Sequence, residues 1–301
     1  MPVFFLPPDA ITPPSITVPP ALQAHLRDSL RLELGEQIWV CDGQGSRYLM
    51  ELTRVTKQEL AGRILSTTRE PARTVPRLLI GQAVLKGEKM DWVIQKATEL
   101  GASDIVPIQS RHTIVQLRPE RLDAQLARWQ RIALEAAQQS EQWRVPVIAK
   151  PQSLAECLAH HPAPSLSLML SERVEGQSLR AVPLPSGNEE SVFVLVGPEG
   201  GWAREEMTQA EQAGYTLITL GPHILRAETA AIVALGILQS RIGALGSRLT
   251  DPFAPCEFAI QTCNLSGQGQ RGFRKRYTFS GPPTSYDSTA ATEADLSSFL
   301  H

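Results

Sequence analysis

Two short strings in the second half of the chain are suited to holding a ligand through main-chain groups and apolar walls. Gly197-Pro198-Glu199-Gly200-Gly201 follows the apolar run Val192 to Val196, and Gly221-Pro222-His223-Ile224-Leu225-Arg226 follows Thr216 to Leu220. Glycine permits positive φ and lets amides and carbonyls approach a ligand closely, while proline stiffens the turn. No Lys-Ser/Thr pair follows the first string and neither has GxGxxG spacing, so a triphosphate loop and a dinucleotide fingerprint are both disfavoured. The apolar neighbours Leu195, Leu220, Ile224 and Leu225 suit adenine and a thioether chain better than a triphosphate. Either loop alone reads equally as an ordinary strand-to-helix turn; the pair together points to a site.

Three charged residues stand in or beside these turns: Glu199, Arg226 and Glu228. An Arg between an apolar loop and a helix start is expensive to hold without an anionic partner. The two carboxylates have a second explanation, because an acid near a helix start interacts well with its dipole and stabilises the turn.

The elements that must position these residues form an alternating series. Leu78 to Val84 reads as a buried strand, Glu88 to Leu100 as a helix with Gly101 as its cap, and Ile105 to Ile108 as the next strand. A long helix begins at Pro119 and repeats Leu122, Leu126, Trp129 and Ala133 almost to Trp143. Strands at Val145 to Ile148, Leu166 to Leu170, Val192 to Val196 and Thr216 to Leu220 follow, with helices to about Ala213 and from Glu228 to about Ile242. This order predicts an α/β fold with a mostly parallel sheet, which places both glycine-proline loops at its carboxyl edge, where open α/β sheets bind ligands. Trp92 and Trp129 are assigned to the core by their helical spacing.

Ahead of this domain, Gln37 to Cys41, Ser46 to Leu52 and Leu60 to Leu65 are short runs separated by turns such as Asp42-Gly43-Gln44-Gly45, the pattern of a small β-barrel. The predicted units are residues 1–73, 77–247 and a tail, 248–301, rich in Ser, Thr, Gly and Pro and expected to be disordered. In the tail, Arg271-Gly272-Phe273-Arg274-Lys275-Arg276-Tyr277 is a basic aromatic island, read either as a single-strand RNA grip or, more simply, as a solvated charge run.

Composition narrows the function classes. The net charge of −2 does not announce a polyanion partner, although 23 of the 29 basic residues are Arg, whose planar fork suits phosphate and base contacts. Cys41, Cys157, Cys256 and Cys263 form no CxxC or Cys/His pattern, so neither a disulfide framework nor a metal site is expected. No stretch approaches the ~20 apolar residues of a membrane helix. The expectation is a soluble cytoplasmic protein.

The string Leu220 to Ala230, with Val196-Gly197-Pro198-Glu199-Gly200-Gly201-Trp202, resembles the 16S rRNA methyltransferases of the RsmE type in the SPOUT class, which methylate N3 of uracil 1498. The resemblance extends through Lys86 to Met90, Gln95 to Gly101, Arg128-Trp129 and Ala136 to Ser140, and weakly into His25-Leu26, Leu30-Arg31 and Gly35, covering the chain to about Gly246. It implies a PUA-like barrel, then a SPOUT domain with a C-terminal trefoil knot, acting as a homodimer on 16S rRNA or the small ribosomal subunit with S-adenosylmethionine as methyl donor. The cofactor-binding residues it implies are Leu170, Gly197, Pro198, Gly200, Gly201, Leu220, Gly221, Ile224, Leu225, Thr229 and Ala230. The sequence departs from the family at Pro2-Val3, where an Arg commonly precedes the aromatic pair Phe4-Phe5, at Arg111-His112, where a Ser commonly follows the Arg, and after Gln139-Ser140, where an Arg is usual.

Uracil N3 carries a proton at neutral pH, so its methylation needs positioning plus help with that proton or the charge it leaves. The candidate catalytic residues are Arg226, for charge on the uracil oxygens, with Glu228 or Glu199 for the proton or for orienting Arg226. Phosphate contacts are expected from His25, Arg27, Arg31, Lys86, Lys96 and Arg111. Two other readings stay open: a SPOUT enzyme with another RNA target, and an RNA-binding assembly factor without catalysis.

Overall fold

The computed structural model of the chain describes residues 3–20, 22–23, 26, 32–56, 58–115, 118–160, 164–171 and 177–244. His25, Arg27, Arg31, Cys256, Cys263, the tail and its basic island lie outside the described residues.

The first six strands, β1 (Val3–Phe5), β2 (Ile11–Thr12), β3 (Ser15–Thr17), β4 (Gln37–Cys41), β5 (Ser46–Val55) and β6 (Leu60–Arg69), form one sheet in the order β1-β4-β5-β6-β3-β2. Only β1 and β4 pair in parallel; the other neighbours are antiparallel. The sheet encloses its own core, in which Phe4, Ile16, Ile38, Val40, Met50 and Leu52 are buried. Alternation along β1 then decides how this unit meets the next. Phe4 points into the front core, while Val3 and Phe5 point the other way and pack with Cys41 and Ala137.

The second sheet is parallel throughout and is built from β7 (Arg77–Ala83), β8 (Asp104–Gln109), β9 (Val147–Ile148), β10 (Gln152–Ser153), β11 (Leu166–Leu170), β12 (Gln177–Ser178), β13 (Ser191–Val196) and β14 (Thr216–Thr219). Its order is β10-β8-β7-β13-β11-β14-β12, with β9 also beside β8. The helices are α1 (Lys89–Glu99), α2 (Pro119–Gln139), α3 (Leu154–His160), α4 (Arg204–Gln212) and α5 (Ala227–Arg241). Successive side chains of the central strands go to opposite faces. Leu78, Ile80, Leu168, Leu170, Val192, Val194 and Val196 join the core shared with α1, α2 and α5. Leu79, Met169, Phe193 and Leu195 join the core under α3 and α4. Both faces are covered, which is why these strands read as nearly unbroken apolar runs.

Helix ends follow the local chemistry. Gly101, at φ 75°, closes α1 by donating to Thr98 O at 2.8 Å, while Ala102 N–H donates to Ala97 O at 3.0 Å, the paired bonds of a Schellman cap. The helix predicted to run almost to Trp143 ends at Gln139, because Glu141 turns left-handed at φ 52° and Gln142 N–H returns to Ala137 O. The segment 145–148 forms only the two-residue β9. The assignment of Trp92 to the core is corrected by the structure: it is 42 % exposed, whereas Trp129 is buried. At 100° per residue Trp92 falls on the arc of α1 with Glu88, Gln95, Lys96 and Glu99, opposite the buried Met90, Val93, Ile94 and Ala97.

Residues 70–76, the predicted linker, carry no regular structure, and ties across it hold the front sheet to α2. Arg144 donates to Glu70 Oε2 at 2.5 Å and to Gln44 O at 3.0 Å. Arg47 donates to the Glu141 carbonyl and lies 3.8 Å over the Trp143 ring. At the other end of the chain, Arg241 of α5 donates to Leu179 O at 2.6 Å and to Val182 O at 2.7 Å, binding the last helix to the segment after β12. Residues 172–176, between β11 and β12, lie outside the described residues.

Candidate active site

Strand order brings three carboxyl ends together. β11 lies between β13 and β14, so Leu170, Val196 and Thr219 end side by side. The described residues at these strand ends line a cleft of about 190 Å³ that opens to solvent at its mouth.

The first loop is fixed from behind and from the side. Gln82, fully buried at the end of β7, donates to Ala83 O at 2.9 Å and Gly197 O at 3.3 Å. Gly201 sits at φ 70° and its N–H closes a turn onto Pro198 O at 2.9 Å. Glu206, one turn into α4, accepts from Ala203 N–H at 2.8 Å and from Arg111 N–H at 2.9 Å, clamping the loop after β8 to this one. His112 Nδ1 lies 3.1 Å from Gly201 O, and a Cβ placed on Gly200 would stand 3.0 Å from His112 Cβ. Trp202 packs on Gly197, where an added Cβ would approach its Nε1 to 3.2 Å.

The second loop is open by contrast. Gly221 has φ 130° and faces no heavy atom within 4 Å of where a Cβ would stand, and Ile224 is 73 % exposed. At the third loop, Ser171 N–H donates to Ile218 O at 2.9 Å, holding the exit from β11 beside β14.

Ten of the predicted cofactor residues line this one cleft: Leu170, Gly197, Pro198, Gly200, Gly201, Leu220, Gly221, Ile224, Leu225 and Ala230. Thr229 is not among the lining residues. His112, Ser171, Trp202, Met207, Thr219 and His223 also line it and were not anticipated. Trp202 and His223 lie inside the quoted strings and Thr219 just before one. His112 stands three residues beyond a strand that ends at the same edge, but nothing local marks Met207 or Ser171.

None of the three charged candidates, Glu199, Arg226 and Glu228, is among the residues that line the cleft; each is next in sequence to one that does, Pro198, Leu225 and Ala227. Arg226 is exposed and caps α5, its carbonyl accepting from Ala230 N–H at 2.8 Å. Glu199 accepts from Lys89 Nζ at 3.1 Å and from Lys86 N–H at 3.4 Å. Burial opposes its charge, but hydrogen bonds from its own N–H, Lys89 and Lys86 outweigh that and hold the carboxyl below its ordinary range. A carboxylate lowered in this way contributes stability above its unfolded pKa and loses it as pH falls through the folded value, so this tie is intact at neutral pH. Glu228 Oε2 lies 3.7 Å from the same Lys89 Nζ. It is buried and has no hydrogen-bond partner among the described residues. Lys86 is exposed, Lys96 pairs with Glu99 at 2.8 Å and Arg111 with Glu205 at 3.0 Å, so of these three predicted phosphate contacts two are already engaged by carboxylates.

The residues present fit an adenosyl-thioether ligand. The walls are largely glycine, proline and aliphatic side chains, and one buried donor in them, Trp202 Nε1, has no acceptor within the described protein. Among the described residues no run of basic side chains lines the cleft, as a triphosphate would require.

Comparisons with known proteins agree with this reading of the architecture. Residues 73–239 match the family described as RNA methyltransferase domain, and residues 22–65 match RNA methyltransferase PUA domain. The chain is 32 % identical to ribosomal RNA small subunit methyltransferase E of Bacillus subtilis over 221 residues, 71 % of this chain and 85 % of that one. It is 31 % identical to the protein of the same name from Synechocystis, over 76 % of this chain and 74 % of the relative. Among solved structures it is similar to the Neisseria gonorrhoeae ribosomal RNA small subunit methyltransferase E bound to S-adenosyl methionine. That match has a TM-score of 0.73 and 32 % identity and covers 80 % of this chain and 98 % of that one.

Gly221→Val places a β-branched residue in a left-handed conformation that costs roughly 1–2 kcal/mol, so the loop must move. Calorimetry should show S-adenosylmethionine affinity reduced about tenfold or more in a variant that still folds by circular dichroism; wild-type affinity would contradict this role for the loop.

Proposed function

The chain belongs to the RNA methyltransferase family that includes ribosomal RNA small subunit methyltransferase E, and from that premise we propose that it methylates N3 of a uracil in 16S rRNA, using S-adenosylmethionine. The observation that carries the proposal is a glycine-walled cleft at one sheet edge, with Glu199, Arg226 and Glu228 each next in sequence to a residue that lines it. Residues 77–247 supply this chemistry, and residues 1–73 act as the RNA-docking unit.

When bound, S-adenosylmethionine supplies an electrophilic methyl group on a sulfonium. The protein's own task is then to present the nitrogen lone pair and to manage its proton. Glu228 is taken as the proton acceptor of the two carboxylates, because Glu199 is already hydrogen-bonded to Lys89 while one oxygen of Glu228 makes no hydrogen bond among the described residues. Arg226, exposed at the start of α5, faces no carboxylate at salt-bridge distance among the described residues and offers a forked cation to charge developing on the uracil oxygens. We place the protein with its substrate in the cytoplasm; no helix among the described residues is long and apolar enough to cross a membrane.

The protein acts as a homodimer in this reading. Helix α5 is apolar on nearly every side, yet Ile232, Val233, Gly236 and Ile237 stay only half-buried along one stripe. A helix apolar all round belongs in an interior, and a second copy of the chain would complete that burial.

Arg226→Ala should lower single-turnover methylation of undermodified small subunits by about 10²-fold or more while leaving cofactor binding within twofold. Primer extension on the wild-type product should stop at the modified uracil, since N3 methylation removes the imino donor. Full turnover by Arg226→Ala would exclude the assigned role, and a stop elsewhere would reassign the substrate. Ile232→Asp should shift the sedimenting species from dimer to monomer; an unchanged dimer would move the interface to another face.

A further inference from the structure

Lys89 stands at the first position of α1, where the helix dipole disfavours a cation. Something else must hold it there. Two carboxylates do so, and they arrive from separate elements: Glu199 from the loop after β13 and Glu228 from the first turn of α5. The ammonium is shared unequally. It donates to Glu199 Oε1 at 3.1 Å, whereas its 3.7 Å separation from Glu228 Oε2 is too long for a hydrogen bond. That oxygen is buried and makes no hydrogen bond among the described residues, an arrangement that costs stability unless something else approaches it.

We propose that Lys89 is a positioning residue for proton removal, holding the Glu228 carboxylate by its charge across a gap while Glu199 keeps the ammonium from closing onto it. The inference rests on the reading of Glu228 as proton acceptor. In that step the N3 proton passes to Glu228 Oε2, the electron pair left on nitrogen forms the bond to the methyl carbon, and the electrons of the breaking carbon–sulfur bond stay on sulfur. Among the described residues the cation within salt-bridge distance of Glu228 is Lys89, which Glu199 also holds; in sequence Lys86 and Glu88 lie just before Lys89, and Arg226 caps the helix that carries Glu228. The ends of β7 and β13, the strands packed against α5, contribute the neutral Gln82, Ala83 and Val196.

The test is the pH dependence of single-turnover methylation of small subunits at saturating S-adenosylmethionine, for the wild-type protein and for Lys89→Met, Lys89→Arg, Glu199→Gln and Glu228→Gln. Removing an opposite charge within ~4–6 Å raises a carboxylate by about one unit or more, so the acid limb of Lys89→Met should move up by that amount, with the rate below it falling about tenfold per unit. Lys89→Arg should restore the limb. Glu199→Gln, which frees the ammonium to close onto Glu228, should move it the opposite way, to lower pH, and this variant keeps the inference testable if Lys89→Met does not fold. Wild-type limbs in Lys89→Met and Glu199→Gln, with Glu228→Gln inactive, would reduce Lys89 to a structural tie and overturn the inference alone. Near-normal turnover by Glu228→Gln would overturn the reading of Glu228 and the inference with it.

Discussion

Parallel strands β7, β13 and β11 are buried on both faces, and their side chains divide strictly between two helical layers. Moving β13 by one residue would exchange Val192, Val194 and Val196 for Phe193 and Leu195 and mismatch both cores together. Gly81 shows how tight this is, since a Cβ there would come within 2.4 Å of Leu195 Cδ2 and 2.8 Å of Ile108 Cδ1. Fixed register means fixed strand ends. Leu170, Val196 and Thr219 therefore finish in adjacent positions, and the loops after them have no choice but to face one another across a common cleft.

On that frame, polar contacts fine-tune position. Gln82, Glu206 and His112 hold the first loop from below and beside it, so it is the rigid wall, while the loop at Gly221 is open on its outer side. A rigid wall facing an open one suits a ligand that must enter and leave each turnover. The front sheet is tied to the same frame through α2, with Val3 and Phe5 packed on Ala137 and Arg144 bonded to Glu70 and Gln44. Any RNA held by the front unit is thereby held at a set distance from the cleft.

Much of this was legible in residue order. The apolar runs Val192 to Val196 and Thr216 to Leu220, each ending in glycine and proline, located the strands and their loops because turn chemistry is local. Strand order was not legible, since runs buried on both faces carry no alternation from which to read a neighbour. The short α3 and the two-residue β10 and β12 offered too few residues for a period to show. Helical spacing alone did not place Trp92, because it is the arc that α1 turns to the sheet, the one with Met90, Val93, Ile94 and Ala97, that decides burial. Lys89 escaped notice for a different reason: its partners Glu199 and Glu228 lie more than a hundred residues away, and only the fold brings them within reach.

The central claim is that these facing loops hold the methyl donor. Ultraviolet cross-linking of methyl-labelled S-adenosylmethionine to the purified protein, followed by peptide mapping, tests it most directly. Label should appear on peptides spanning 195–203 or 217–230 and be competed away by unlabelled cofactor. Competable label confined to the front sheet or to α2 would contradict the account.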